Sequence, residues 1–284
     1  MHKSRMADPA LNGVAETLLI PLYNRAMESQ RPDALIRDEK AVALATQGLA
    51  DGTARLDFSR IEQIPMNELL NTMRAMLTRA MDCYARDFLS RHPQALVVHI
   101  GCGLDSRFER VDNGQVEWYD LDLPEVIALR RQYLGGERER YHLLACSVFE
   151  PAWLEAVKAH SSRPCLFLAE TVFVYFTEAQ VKSLVFSLCE HFPGAELAFD
   201  GWKPFEIRLG NRYLSNSPFA GLMRWGLWSG KELESWRAGI RLLDEWGFFD
   251  QPEPRLARFR WMAPLFRWFK PICIFHFRLG DAAG

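Results

Sequence analysis

Apolar positions change their spacing along the chain at Pro93. From about Thr17 to Arg91 they recur every three or four residues, as in Leu69, Leu70, Met73, Met76, Leu77, Met81 and Phe88, the period of an amphipathic helix. The methionine-rich stripe reads as core, because methionine fills irregular gaps between packed helices. Pro93 ends the last helix: the residue before a proline is pushed out of helical geometry, and proline itself cannot donate to the ladder. Beyond it, short apolar runs alternate with helix-length segments. Strands are predicted at 95–100, 116–120, 142–146, 164–169 and 195–200, with helices at 124–134, 151–159 and 178–191 between them.

Runs that are apolar on both faces, separated by helices, predict a mostly parallel sheet covered on each side. Between Gly201 and Arg237 the alternation stops and aromatic residues accumulate: Trp202, Phe205, Tyr213, Phe219, Trp225, Trp228 and Trp236. This reads as an irregular insertion over the sheet. Two further strands, 239–246 and 271–279, would complete a seven-stranded α/β sheet. The expected organisation is a single domain of 284 residues: a helical cap (1–94), a ligand-binding core (95–200), a lid insertion (201–237) and closing strands (238–284).

Composition narrows the partners. Thirty-four basic and thirty-six acidic side chains leave a net charge of −2, so no global field draws in nucleic acid or an anionic membrane surface. A small-molecule partner is expected, with neither nucleic acid nor membrane. Six scattered cysteines without a CxxC pair read as free thiols in a reducing cytoplasm. No signal peptide or membrane-length apolar run is visible, and no spacing of His, Cys or carboxylates suggests a metal site.

Candidate chemistry clusters at predicted strand ends. The run Ala95-Leu-Val-Val-His-Ile-Gly-Cys-Gly-Leu-Asp-Ser-Arg107 carries a buried strand into a turn bracketed by Gly101 and Gly103, where glycine permits positive φ and close approach of a ligand. Ser106 stands where a dinucleotide fingerprint needs its third glycine, so the turn suits a nucleoside without a pyrophosphate. About twenty residues on, Asp120 or Asp122 could accept both ribose hydroxyls; alternation puts the two on one side of the strand. In Ala145-Cys-Ser-Val-Phe149, Ser147 and Val148 could frame an adenine, or Ser147 could cap the next helix. Glu170 ends an apolar strand, and a carboxylate there needs a partner, either a ligand cation or a structural salt bridge. His99, inside a strand, reads as core. Asp200 and Tyr175 are candidates for substrate contact, and no catalytic base is assigned.

These residues together give the chain its resemblance. Gly101-Cys-Gly-Leu-Asp-Ser-Arg107, Asp120-Leu-Asp-Leu-Pro124, Cys146-Ser-Val148 with Trp153, Ala169-Glu170 followed by Tyr175, and Ile36-Arg-Asp-Glu-Lys-Ala41 resemble the leucine carboxyl methyltransferase superfamily, in particular its bacterial branch of polyketide O-methyltransferases. The resemblance spans nearly the whole chain. It implies a Rossmann-like fold and an S-adenosylmethionine-dependent O-methyltransferase acting on a hydroxyl or carboxyl of a small aromatic or polyketide-like molecule. Protein carboxyl methylation, as in the eukaryotic members, and nucleoside binding without catalysis are the other readings. It further implies that Gly101 and Gly103 touch the cofactor, Asp122 holds its ribose, Ser147 and Val148 flank its adenine and Glu170 lies near its amino group. Arg79 is expected at the methionine carboxylate, with Arg37 and Arg74 as rivals.

Overall fold

A computed structural model describes residues 11–46, 68–158, 162–213, 215 and 221–280. Three helices come first: α1 (Leu11–Ser29), α2 (Glu39–Thr46) and α3 (Glu68–Arg91). The Asp38 carboxylate opens α2 by accepting the Ala41 N–H at 2.8 Å, satisfying one of the donors a helix start leaves orphaned. The chain leaves α3 at Arg91 and turns through Pro93 into β1 (Leu96–Ile100).

Strand and helix then alternate: α4 (Arg107–Val111), β2 (Glu117–Asp122), α5 (Pro124–Leu134), β3 (Tyr141–Ala145), α6 (Ala152–Lys158), β4 (Cys165–Ala169), α7 (Glu178–His191) and β5 (Ala195–Gly201). Pro124 sits at the first turn of α5, where its missing N–H costs nothing. A capping box between Thr177 and Gln180 starts α7. The seven strands are ordered β3-β2-β1-β4-β5-β7-β6. Strands β1 to β5 are parallel, whereas β7 (Cys273–Leu279) runs antiparallel to both β5 and β6 (Arg241–Trp246). The sequence reading of a mostly parallel seven-stranded sheet therefore holds.

Period-two alternation sorts the core into two layers. On β1, Leu96, Val98 and Ile100 join Trp153, Leu184 and Leu188 on one face, and Ala95 and Val97 join Met76, Met81 and Phe88 on the other. Both faces are thus buried, which is why the strands read as unbroken apolar runs. The methionine stripe of α3 is core, as its pattern required.

The insertion expected to be irregular carries two helices, and the connection between the last two strands, for which no element was expected, is helical too. Residues 204–213 form α8 (Pro204–Tyr213), again with proline at the helix start, and Gly230–Glu234 form the short α9. Between β6 and β7 lie a 3-10 segment, Pro254–Met262, and α10 (Ala263–Phe269). Phe219 lies outside the described residues. Cys102, Cys165, Cys189 and Cys273 are buried, Cys146 is partly buried and Cys83 is exposed, all as free thiols. Among the described residues no helix is long and apolar enough to cross a membrane.

Candidate active site

The glycine turn is anchored to the tip of β2. Gly101 N–H and Cys102 N–H both donate to the Leu121 carbonyl, at 2.8 and 3.3 Å, and Gly103 N–H donates to Asp122 Oδ2 at 2.8 Å. Gly101 and Gly103 adopt φ of 63° and 50°, the left-handed region that favours glycine. A Cβ at Gly101 would stand 2.4 Å from Val172 Cγ2. Gly101→Ala is therefore expected to combine backbone strain with a clash and to cost about 2–3 kcal/mol; an unchanged denaturant midpoint would show that the turn tolerates a side chain.

Register separates the two aspartates. Strand β1 ends at Ile100, paired with Leu121, and Asp120 lies opposite His99. Asp120 is completely buried and is held by the Arg130 guanidinium, the Tyr141 hydroxyl at 2.6 Å and Trp118 Nε1 at 2.8 Å. Burial opposes its charge, but Arg130 foremost, with the neighbouring His99 and the Tyr141 hydroxyl, holds its pKa below the usual carboxylate range. His99 Nδ1 is 3.3 Å from Asp120 Oδ1, badly aligned for a hydrogen bond, while Nε2 meets Arg107 Nη1 at 3.2 Å. His99 is a core residue.

Asp122 lies one residue beyond the end of β1, beside the glycine turn and only partly buried. Its oxygens accept the Gly103 and Leu123 N–H groups, each at 2.8 Å, and burial raises its pKa despite them. Two acceptor positions on the carboxylate are left for ligand hydroxyls. Of the two candidates, Asp122 has the geometry of a ligand residue.

Arg107 occupies the centre of the site without any exposure. It donates to Asp82 at 2.8 Å and to Glu170, and stands 3.2 Å from Asp105. Arg110 joins Asp82 at 2.7 Å, Asp105 at 2.8 Å and Asp38 at 3.1 Å; Arg25 joins Asp38 at 2.9 Å. Ser106 donates to Asp38 at 2.6 Å. Burial would raise the Asp105 pKa, yet Arg110, Arg25 and Arg107 force it well below the usual range. Much of the GLDSR segment is therefore a charge network that fastens α1, α2 and α3 to the ligand turn. Sequence reasoning took it only as part of a ligand motif, although Asp105 and Arg107, and Asp38 of the N-terminal motif, were in view.

Glu170 has structural partners in Arg107 and in Thr78, whose hydroxyl its carboxylate accepts at 2.8 Å. Ser147 caps a turn, its Oγ accepting Phe149 N–H at 3.3 Å. The Val148 carbonyl accepts Trp153 Nε1 at 3.0 Å, so both stand at the β3 end. Arg79 is not brought to this cluster. Its guanidinium reaches Glu253 at 3.4 Å and, with Arg37, lines a cleft of about 620 Å³ that includes none of Gly101, Asp122 or Glu170. Arg37 also donates to the Ser29 carbonyl at 2.8 Å. Arg74, one turn before Thr78 on α3, acts electrostatically on Tyr175 and so lies on the side of α3 that meets Glu170.

Asp200, which sequence reasoning named only for substrate contact, sits at the tip of β5 beside these groups. It accepts the Thr171 N–H and, at 3.1 Å, Trp202 Nε1. Thr171 is held at φ 57° immediately after Glu170. Burial, reinforced by the Glu170 charge, pushes the Asp200 pKa up to about 7. Of the insertion's aromatic rings, Trp225 packs inward against Phe199 at 6.1 Å, whereas Trp228 is half-exposed and stacks on Phe205 at 6.3 Å.

A parallel sheet with an antiparallel β7, carboxylates at the tips of β2 and β4 and a glycine turn after β1 form the ligand edge of an open α/β sheet and define an S-adenosylmethionine-dependent methyltransferase. The chain belongs to the leucine carboxyl methyltransferase family, whose model matches residues 19–188. It is 34% identical over 243 residues to the tetracenomycin polyketide synthesis O-methyltransferase TcmP of Streptomyces glaucescens, covering 85% of this chain and 86% of that one. It is 29% identical to the S-adenosyl-L-methionine-dependent methyltransferase dpfgK of Gibberella zeae, over 89% and 88% of the two chains. The fold is also that of a DUF574 family protein from Streptomyces avermitilis, with a TM-score of 0.56 at 12% identity over 90% of this chain and 96% of that one.

Proposed function

We propose that this methyltransferase methylates a hydroxyl of a small aromatic, polyketide-like molecule, with Asp200 taking the proton. In this reading Gly101, Gly103, Asp122, Ser147, Val148 and Glu170 hold S-adenosylmethionine, whose sulfonium supplies an activated methyl group. The donor set suits that ligand: a carboxylate with free acceptor positions at the β2 tip for the ribose, and a second carboxylate at the β4 tip for a cationic amino group. Arg74 is better placed than Arg79 for the methionine carboxylate.

The observation that carries the acceptor is Asp200. In-line methyl transfer mainly needs the acceptor oxygen held in line and water kept out. A phenol must also lose its proton, and a base that titrates near neutrality is matched to that task. Asp200 is buried at the β5 tip, next to Tyr175 and Trp202, and each of its oxygens keeps a free acceptor position beside the one already used. Trp202, Tyr175 and Phe176 supply flat apolar surface of the kind that binds an aromatic ring. The similarity to TcmP, named for polyketide O-methylation, supports the same class of acceptor.

The test is a methyl-transfer screen across phenols, carboxylic acids and peptide C-termini in the wild type and Asp200→Asn. Turnover of a phenol should rise as pH increases through about 7, and Asp200→Asn should lower it about 10²-fold and abolish that rise. A carboxylate acceptor needs no base, so preferred methylation of carboxylates, unaffected by the substitution, would overturn the proposal. Stability should run the other way. The raised pKa means that the folded state holds the proton more tightly, so the cost of ionising Asp200 is absent below its ordinary pKa of about 4. That cost accumulates as pH rises and is complete above about 7.

A further inference from the structure

Strand β6 runs parallel to β5, because both are antiparallel to β7, and Trp246 and Gly201 pair with neighbouring residues Ile274 and Cys273. The connection from β6 to β7 therefore lies on the same sheet edge as Asp200 and the other strand tips. Residues 254–270, Pro-Arg-Leu-Ala-Arg-Phe-Arg-Trp-Met-Ala-Pro-Leu-Phe-Arg-Trp-Phe-Lys, contain five basic side chains and no acidic one. Its inner side is anchored: Leu256 is buried, Phe259 and Phe266 pack against the α3 face of the core, and Arg255 grips Glu28 at 2.8 Å.

The outer side is apolar and open. Trp261, near the end of the 3-10 segment, and Leu265 and Trp268 of α10 have 79%, 58% and 82% of their surfaces exposed. Three large apolar side chains left in water within eight residues are unusual for a folded surface. This apolar surface continues through ring contacts, Trp268 to Phe269 at 6.4 Å, Phe269 to Phe205 at 4.9 Å and Phe205 to Trp228 at 6.3 Å, so it reaches the insertion above the sheet.

Charge identifies the partner. Arg255, Arg258 and Lys270 face Glu28, Glu68 and Asp250. Arg260 and Arg267 are exposed and have no acidic partner among the described residues, although Arg267 Nε donates to the Phe249 carbonyl at 2.8 Å, and each immediately precedes one of the exposed tryptophans. An apolar surface containing tryptophan, flanked by arginines and free of acids, has the composition of a helix that lies in a bilayer interface, its rings among the acyl boundary and its guanidiniums on anionic headgroups. We infer that residues 254–270 dock this protein reversibly on an anionic lipid surface, with the strand-tip edge facing the bilayer. This departs from the expectation drawn from net charge alone, because a near-neutral total hides the two arginines, Arg260 and Arg267, that no acid neutralises among the described residues. It goes beyond the acceptor reading and does not depend on it.

The test is flotation of the full chain with vesicles of phosphatidylcholine alone and of phosphatidylcholine with one-third phosphatidylglycerol. Anionic vesicles should bind at least about tenfold more tightly than neutral ones, and high salt should remove the difference. Trp261→Ala with Trp268→Ala should weaken binding to anionic vesicles about tenfold. Arg260→Glu with Arg267→Glu should abolish the preference for anionic lipid. All four positions are exposed, and unchanged melting temperatures would confirm folding. Absence of flotation, or flotation indifferent to both double variants, overturns the inference. So does a self-association removed by the tryptophan variant in a chain that ignores vesicles, which would make a second copy the occupant. Binding to an acidic polypeptide such as polyglutamate but not to vesicles would likewise overturn it.

Discussion

Asp122→Ala is expected to lower the affinity for S-adenosylmethionine about 10²-fold, the worth of two charge-assisted hydrogen bonds to ribose hydroxyls. The effect on folding should be small by comparison. Asp122 is only partly buried and makes no ion pair among the described residues, so its removal frees two backbone N–H groups at the open end of the sheet. Asp120→Ala should reverse the pattern. It would strip Arg130 of its carboxylate at a site with no exposure, and an uncompensated buried charge of that kind costs about 3–5 kcal/mol. Titration calorimetry and denaturant melts on the two variants separate the roles. Weakened binding in Asp120→Ala with an unchanged melt, and the converse in Asp122→Ala, would exchange the assignments.

Arg107→Met should cost stability as heavily as Asp120→Ala. The guanidinium is fully buried and faces Asp82, Asp105 and Glu170, so its removal leaves Asp82 and Asp105 to Arg110 and Arg25 and, among the described residues, Glu170 with the Thr78 hydroxyl alone. A loss of about 3–5 kcal/mol is expected, or roughly 10 °C in melting temperature for a domain of this size. Because the Asp82 and Asp105 pKa values are depressed, their stabilisation is present above the ordinary carboxylate pKa of about 4 and is lost as pH falls through the lowered values. Arg107→Met should therefore flatten the acid limb of the wild-type stability curve. A melting temperature within about 2 °C of the wild type would mean that the network is ornamental.

The sheet was legible for a physical reason. A parallel strand covered on both faces must be apolar at consecutive positions, and β1, β4 and β5 announce themselves in that way. The segment 254–269 was not, since Pro254, Pro264 and interleaved arginines break any simple period and its outer tryptophans imitate core residues. Within the site, Gly101, Gly103 and the pair Asp120 and Asp122 could be found from spacing. Period-two alternation could not choose between the aspartates, because both point to one side. Only the register, with β1 ending opposite Leu121, shows that Asp120 is enclosed and Asp122 is at the rim. Which of Arg79 and Arg74 lies on the Glu170 side of α3 could not be told without the helix phase that puts Thr78 on Glu170. The ion network was beyond reach, since its partners come from segments as distant as Arg25 and Glu170.

The tip of β2 and the glycine turn beside it are the proposed site of the methyl donor. Titration of the wild-type chain with S-adenosylmethionine and, separately, with a nicotinamide dinucleotide tests this most directly. One S-adenosylmethionine should bind per chain, with no heat from the dinucleotide and with the S-adenosylmethionine signal lost in Asp122→Ala. Full-strength binding in Asp122→Ala, or tight binding of the dinucleotide instead, would contradict it.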